Sequence, residues 1–266
     1  MKFTLLLLCL CVQLSAFAQN KLPNNIFAEC ATNETPYQCT NNALENAVLD
    51  LIDEDVISTL LETSKPYFSV SAVFILDANG VVIKEHTQIK TPSYLLTKRI
   101  QNYIDNLPAF TQKDSPVEKR RNAFFINVTL LRDTISKNYY VADNLDLKER
   151  NIKPDYIKPD EESIYPGCEK SDHTDGVSCS TEKMYNLIMK NYRMPEVDGP
   201  LQFRMIVNFY IDTTGKVQVE NIEGGEEKFH KGILTAMTKL PRLTPTRIKG
   251  IPITIAYKLP ITINVK

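Results

Sequence analysis

A run of alternating apolar residues ending in an Asp-x-x-Gly turn occurs twice in this chain, and that repetition constrains its architecture first. Phe68, Val70, Ala72, Phe74 and Leu76 lead into Asp77-Ala78-Asn79-Gly80. At an offset of 135 positions, Phe203, Met205, Val207, Phe209 and Ile211 lead into Asp212-Thr213-Thr214-Gly215. A close pair of cysteines precedes each copy, and a helix-patterned segment ending in Leu-Pro follows each, at Leu107-Pro108 and Leu240-Pro241. Blocks recurring in one order point to two similar units rather than to a single catalytic pocket.

Within each unit the periodicity names the elements. Leu44, Val48 and Leu51, and in the second unit Met184, Leu187 and Ile188, form the apolar stripe of a first helix. Thr40 and Ser180 directly follow the second cysteine of each pair and are candidate helix caps. The Asp-to-Gly segments suit a type I turn closing into a bulge, since glycine accepts positive φ freely. Asp77 and Asp212 are then turn formers, without the further ligands a calcium loop needs. Return strands are expected at 81–89 and 216–222. In the second helix, Leu96, Ile100, Tyr103 and Leu107 repeat the spacing of Phe229, Ile233, Ala236 and Leu240, and proline stops both. Last strands follow at about 122–131 and 251–265. The expected fold class is α+β, each unit a small antiparallel sheet with two helices packed on one face. The units span 27–133 and 160–266. Residues 134–159 read as a polar linker stiffened by Lys153-Pro154-Asp155 and Lys158-Pro159-Asp160, with Tyr139, Tyr140 and Ile157 available to dock.

Lys2, the apolar stretch from Phe3 to Val12 and the exit Ser15-Ala16-Phe17-Ala18 have the pattern of a secretory signal peptide over 1–18. Cleavage after Ala18 implies no stable membrane span in the mature protein. Retention of the segment as an inner-membrane anchor facing the periplasm is the competing reading. The formal net charge of -1 leaves no basic footprint for nucleic acid.

Cys9 and Cys11 leave with the signal segment. The other four form one close pair per unit, and in an oxidising compartment Cys30 is expected to join Cys39 and Cys168 to join Cys179. A zinc site would need CxxC-like spacing or histidines gathered on one face, and His173 alone lies inside the second loop. No metal or cofactor is expected. His86 and His230 have no acidic partner at a motif spacing, and Lys119-Arg120-Arg121 reads as a solvated edge. Asn33-Glu34-Thr35 and Asn127-Val128-Thr129 match the glycosylation sequon, the second inside an expected strand. The chain has no G-x-S-x-G, no H-E-x-x-H and no Gly-rich phosphate loop, so no enzyme is expected.

Five pieces of the second unit, taken in order, carry a resemblance. They are Ile164-Tyr165-Pro166-Gly167-Cys168-Glu169; Asn191-Tyr192-Arg193-Met194-Pro195; Val207-x-Phe209-x-Ile211-Asp212-x-x-Gly215-x-Val217; Leu240-Pro241; and Gly250-x-Pro252 running on to Tyr257. Together they resemble the TonB C-terminal domain family, in its variant with a cysteine pair ahead of the first helix. The first unit resembles a diverged copy, lacking the Gly-x-Pro. The resemblance implies a periplasmic domain that grips a peptide of an outer-membrane receptor, or of another envelope protein, by adding it as a strand. It also implies a link to energy-coupled transport across the outer membrane. A family member proper carries a retained membrane helix and a long proline-rich spacer, and this chain has a signal-like segment and a short linker instead. The alternative role is a membrane-anchored energy transducer.

The last strand locates the grip. Its odd positions from Ile251 to Val265 are apolar, and Pro252 and Pro260 fall on the other parity. Residues of one parity direct both N–H and C=O to the same edge, so the prolines remove donors from one edge only. Between them Thr254, Ala256 and Lys258 are the expected window for a partner strand.

Overall fold

The computed structural model describes residues 25–32, 36–63, 65–112, 120–169, 176–197 and 199–265. The signal-like segment 1–18, His173 and part of each cysteine loop lie outside the described residues. The fold is α+β, with antiparallel sheets throughout.

In the first half, β1 (Asn25–Ile26), α1 (Pro36–Asp50), α2 (Glu54–Leu61), β2 (Tyr67–Ile75), β3 (Gln88–Lys90), α3 (Tyr94–Asp105), β4 (Thr111–Gln112) and β5 (Ala123–Arg132) follow in order. Next come β6 (Tyr139–Val141) and α4 (Asn144–Glu149). The second half holds α5 (Gly176–Asn191), β7 (Leu201–Ile211), β8 (Val217–Glu223), α6 (Glu227–Met237), β9 (Arg247–Ile248), β10 (Ile251–Pro252) and β11 (Ile255–Val265). One sheet has the order β3-β2-β5-β6 and the other β11-β7-β8, with small pairs β1-β4 and β9-β10.

The repeated turn is built twice from the same bonds. Asp77 Oδ1 accepts the amides of Asn79 and Val81, and Asp212 Oδ1 those of Thr214 and Lys216. Gly80 and Gly215 close the turns at φ 78° and 79°. At Gly215 a Cβ would also lie 1.8 Å from the Leu243 carbonyl oxygen, so no other residue fits.

Each sheet buries one face under helices. Leu44, Val48, Leu96, Ile100 and Ile104 cover Phe68, Val70, Phe74 and Phe124 in the first half. Met184, Ile188, Phe229, Ile233 and Ala236 cover Met205, Val207, Phe209, Ile261 and Ile263 in the second. Removing each such large apolar side chain from water stabilises the fold by roughly 1.5–3 kcal/mol. α2 is an extra helix of the first half. Its sequence signal is Asp53, whose carboxylate accepts the Val56 amide, followed by buried Val56 and Leu60.

Both disulfides, Cys30–Cys39 and Cys168–Cys179, are present. Thr40 and Ser180 are not caps, because each helix starts a turn earlier, at Pro36 and Gly176. Both hydroxyls donate to the carbonyl four residues back, Thr40 to Pro36 and Ser180 to Gly176. Both also accept an amide of the lead-in segment, from Phe27 at 3.1 Å and Tyr165 at 2.8 Å. The helices α3 and α6 end at Asp105 and Met237, two or three residues before their Leu-Pro.

Three further features depart from expectation. The first return strand is interrupted: after the Leu76–Val82 bridge the chain forms a 3₁₀ turn at Lys84–His86 before β3. Carbonyls of this segment, at Glu85 and Thr87, instead accept the ammonium of Lys249 from the second half. The last strand of the second half is likewise divided, since Ile251–Pro252 folds back on Arg247–Ile248 through Lys249-Gly250, both at positive φ as a two-residue hairpin requires. Finally, 134–159 contains a strand, β6, that the linker reading lacked, besides docking through residues expected to be available for it. Tyr139 packs on Phe68 with ring centroids 5.1 Å apart, and Ile157 joins Val73, Ile75, Ala123, Ile248 and Ile253 in a third apolar cluster drawn from both halves.

Candidate strand-docking edge

β7 is the central strand of the second sheet, with β8 on one side and β11 on the other. Which backbone groups of β11 point outward follows from pleat parity. Asp212 N–H donates to the Lys216 carbonyl across the turn, so even residues of β7 face β8. Odd residues of β7 therefore face β11, where Ile211 pairs with Ile255, Phe209 with Tyr257, Val207 with Leu259 and Met205 with Ile261. The even residues Ala256, Lys258, Pro260, Thr262 and Asn264 are left to direct N–H and C=O away from the sheet. Pro260, opposite Ile206, thus costs no ladder bond. Their side chains are exposed, while Leu259, Ile261 and Ile263 are buried beneath the helices. Among the described residues no strand pairs with this outer edge.

Thr254 does not belong to the open window. Its amide donates to Asn122 Oδ1 at 3.1 Å, and Asn122 Nδ2 donates back to the Pro252 carbonyl at 3.1 Å. The side chain of Asn122 therefore occupies the edge where the chain turns from β10 into β11, and Thr254 is 4% exposed. The window narrows to Ala256 and Lys258, with Thr262 and Asn264 beyond the proline. Sequence reasoning missed Asn122, because nothing local links it to a position 132 residues away.

The first sheet treats the corresponding edge differently. β5 pairs with β2 as β11 pairs with β7, but its outer edge carries β6, with Leu130 opposite Val141, Leu131 opposite Tyr140 and Arg132 opposite Tyr139. Tyr139 donates its hydroxyl proton to the Lys65 carbonyl at 2.7 Å, and Ala142 N–H donates to Thr129 O at 2.8 Å.

The opposite face of the second sheet is polar near the first half. Tyr210 bonds Gln218 Oε1 at 3.1 Å, and burial, then the carboxylates of Asp212 and Glu220, push its phenol up to about 12. Arg121 lies 3.8 Å over the Tyr37 ring and reaches Glu220 at 3.7 Å, so it bridges the halves rather than lining a solvated edge. His230 Nε2 meets the Gly224 carbonyl at 2.8 Å, and His86 sits in the 3₁₀ turn. Among the described residues no three His, Cys, Asp or Glu side chains gather as metal ligands. An open groove of about 550 Å³ between Phe27, Leu51, Tyr103 and Leu107 belongs to the first half, apart from the β11 edge. Among the described residues no helix is long and apolar enough to cross a membrane. Comparisons with protein-family models, with curated proteins and with solved structures found no match for this chain.

Proposed function

We propose that this chain is an exported envelope protein of two tandem TonB C-terminal-like domains, whose second domain binds an extended peptide by strand addition along β11. The partner is a segment of an outer-membrane receptor or of another envelope protein, and the role is linked to TonB-dependent transport across the outer membrane. The observation that carries this reading is the state of one edge in two sheets. β11 is an edge strand with outward backbone groups at Ala256 and Lys258, and the corresponding edge of β5 already carries an added strand. Two disulfides fit an oxidising compartment such as the periplasm.

The test is co-purification from an envelope extract with wild type and the Ala256→Pro variant side by side. A TonB-dependent receptor recovered with wild type and lost with a folded Ala256→Pro protein supports the reading. Equal recovery on both rejects docking at the Ala256–Lys258 window. Sequencing the N-terminus of the protein separates the exported form, beginning at Gln19, from a membrane-anchored transducer retaining Met1.

A further inference from the structure

The two sheets can be laid on one another by their ladders. Asp77 corresponds to Asp212, which places Phe68 with Phe203. The pairs Phe68–Leu130 and Phe203–Ile263 then correspond, as do Tyr67–Leu131 and Gln202–Asn264. In this frame β6 of the first half lies where a strand would lie beside Ile263, Asn264 and Val265 in the second.

β6 contributes more than backbone bonds. Tyr139 points to the helix side, and its ring reaches across β5 to rest against Phe68. Under that cover Phe68 is 4% exposed. Its counterpart Phe203 stacks on Phe229 with centroids 4.3 Å apart but remains half-buried, and no aromatic residue lies over it from the β11 side among the described residues. The second half thus has the same acceptor strand and the same anchor ring, without the added strand that completes them.

Resting on the strand-addition reading, we propose that the partner of β11 is an extended segment carrying a tyrosine or phenylalanine, docked along Thr262 to Val265, with its ring over Phe203 as Tyr139 lies over Phe68. Pro260 divides the edge, and this stretch beyond it offers the outward amides of Thr262 and Asn264. The ring supplies selectivity for aromatic segments that a bare backbone ladder lacks, since an aromatic pair contributes beyond its buried area.

The probe is a capped synthetic peptide with the sequence of residues 137–143, Lys-Asn-Tyr-Tyr-Val-Ala-Asp, and a second in which the first tyrosine is alanine. Each is titrated into the isotope-labelled protein spanning 19–266, and amide shifts are followed along β5 and β11. The expected result is that the peptide shifts Thr262 and Asn264, binds about tenfold more weakly without that ring, and no longer binds Thr262→Pro. Phe203→Leu should weaken it comparably, and if that variant is unfolded the alanine peptide still decides. Equal affinity of both peptides at β11 overturns the aromatic contact while leaving strand addition standing. Shifts confined to Leu130–Arg132, from exchange with resident β6, overturn the inference. So does a natural partner that is lost with Ala256→Pro but unaffected by Thr262→Pro, which keeps the edge and removes this window.

Discussion

The carboxamide of Asn122 forms two hydrogen bonds with the chain around Thr254, accepting its amide and donating to the carbonyl of Pro252. A side chain of the first half so takes the place of a neighbouring strand for the first two positions of the second half's edge. Asn122→Ala leaves a buried amide and a carbonyl without partners, which should cost about 2 kcal/mol. Because Ile248 and Ile253 pack beside Ala123 in the shared cluster, the loss should appear in probes of both halves. Denaturant unfolding followed by fluorescence and by hydrogen exchange at Thr254 measures both effects. A change confined to the first half would show that the contact does not couple them.

The disulfides and the paired hydroxyls act together on the lead-in segments. Each disulfide closes a short loop, of sequence separation 9 and 11, worth roughly 2–3 kcal/mol in the chain-entropy model. Thr40→Val should cost about 1–2 kcal/mol, since the buried Phe27 amide loses its acceptor while the side-chain volume is kept. Peptide mapping without reduction checks the pairing, and calorimetry of Thr40→Val and Ser180→Ala checks the anchors. A Cys30 peptide linked to Cys168 would refute the pairing.

The turns, cysteine pairs and alternating strands were legible because each is a local pattern. Asp77 and Gly80 lie three residues apart, and Cys30 and Cys39 nine. What was not legible depends on distant partners. Nothing near Lys84–His86 announces that Lys249 will take its carbonyls, and nothing near Thr254 announces Asn122. A hydroxyl beside a helix start is most often a cap, whereas Thr40 and Ser180 lie one turn inside helices that begin at Pro36 and Gly176. β6 was hidden in a polar segment, where Tyr139, Tyr140 and Ile157 hinted at docking but nothing announced a strand.

Alkaline titration should report the packing between the halves. Tyr210 titrates near 10 when unfolded and is pushed up to about 12 when folded. Between those values the unfolded chain has released a proton that the folded chain retains, so stability falls as pH rises through this window and the contribution is complete below it. Burial raises Tyr257 and Tyr103 in the same direction, so wild type shows a composite slope. Tyr210→Phe should reduce that slope without removing it. Unfolding midpoints between about pH 9 and pH 11 provide the measurement, and an unchanged slope would mean that Tyr210 is hydrated in solution.

Proline substitution reads the orientation of β11 without any partner. Lys258 directs its amide outward, so Lys258→Pro removes no ladder bond and, like native Pro260 two residues on, should be tolerated with little loss of stability. Leu259 faces β7 opposite Val207, so Leu259→Pro breaks a ladder bond and also loses a buried side chain. Leu259→Ala separates the two effects by removing the side chain alone, at about 2–3 kcal/mol. The expected order of unfolding midpoints is wild type, then Lys258→Pro close behind, then Leu259→Ala, with Leu259→Pro lowest. If Lys258→Pro is as damaging as Leu259→Pro, the even amides are already bonded within the protein, and the edge on which strand addition depends is closed.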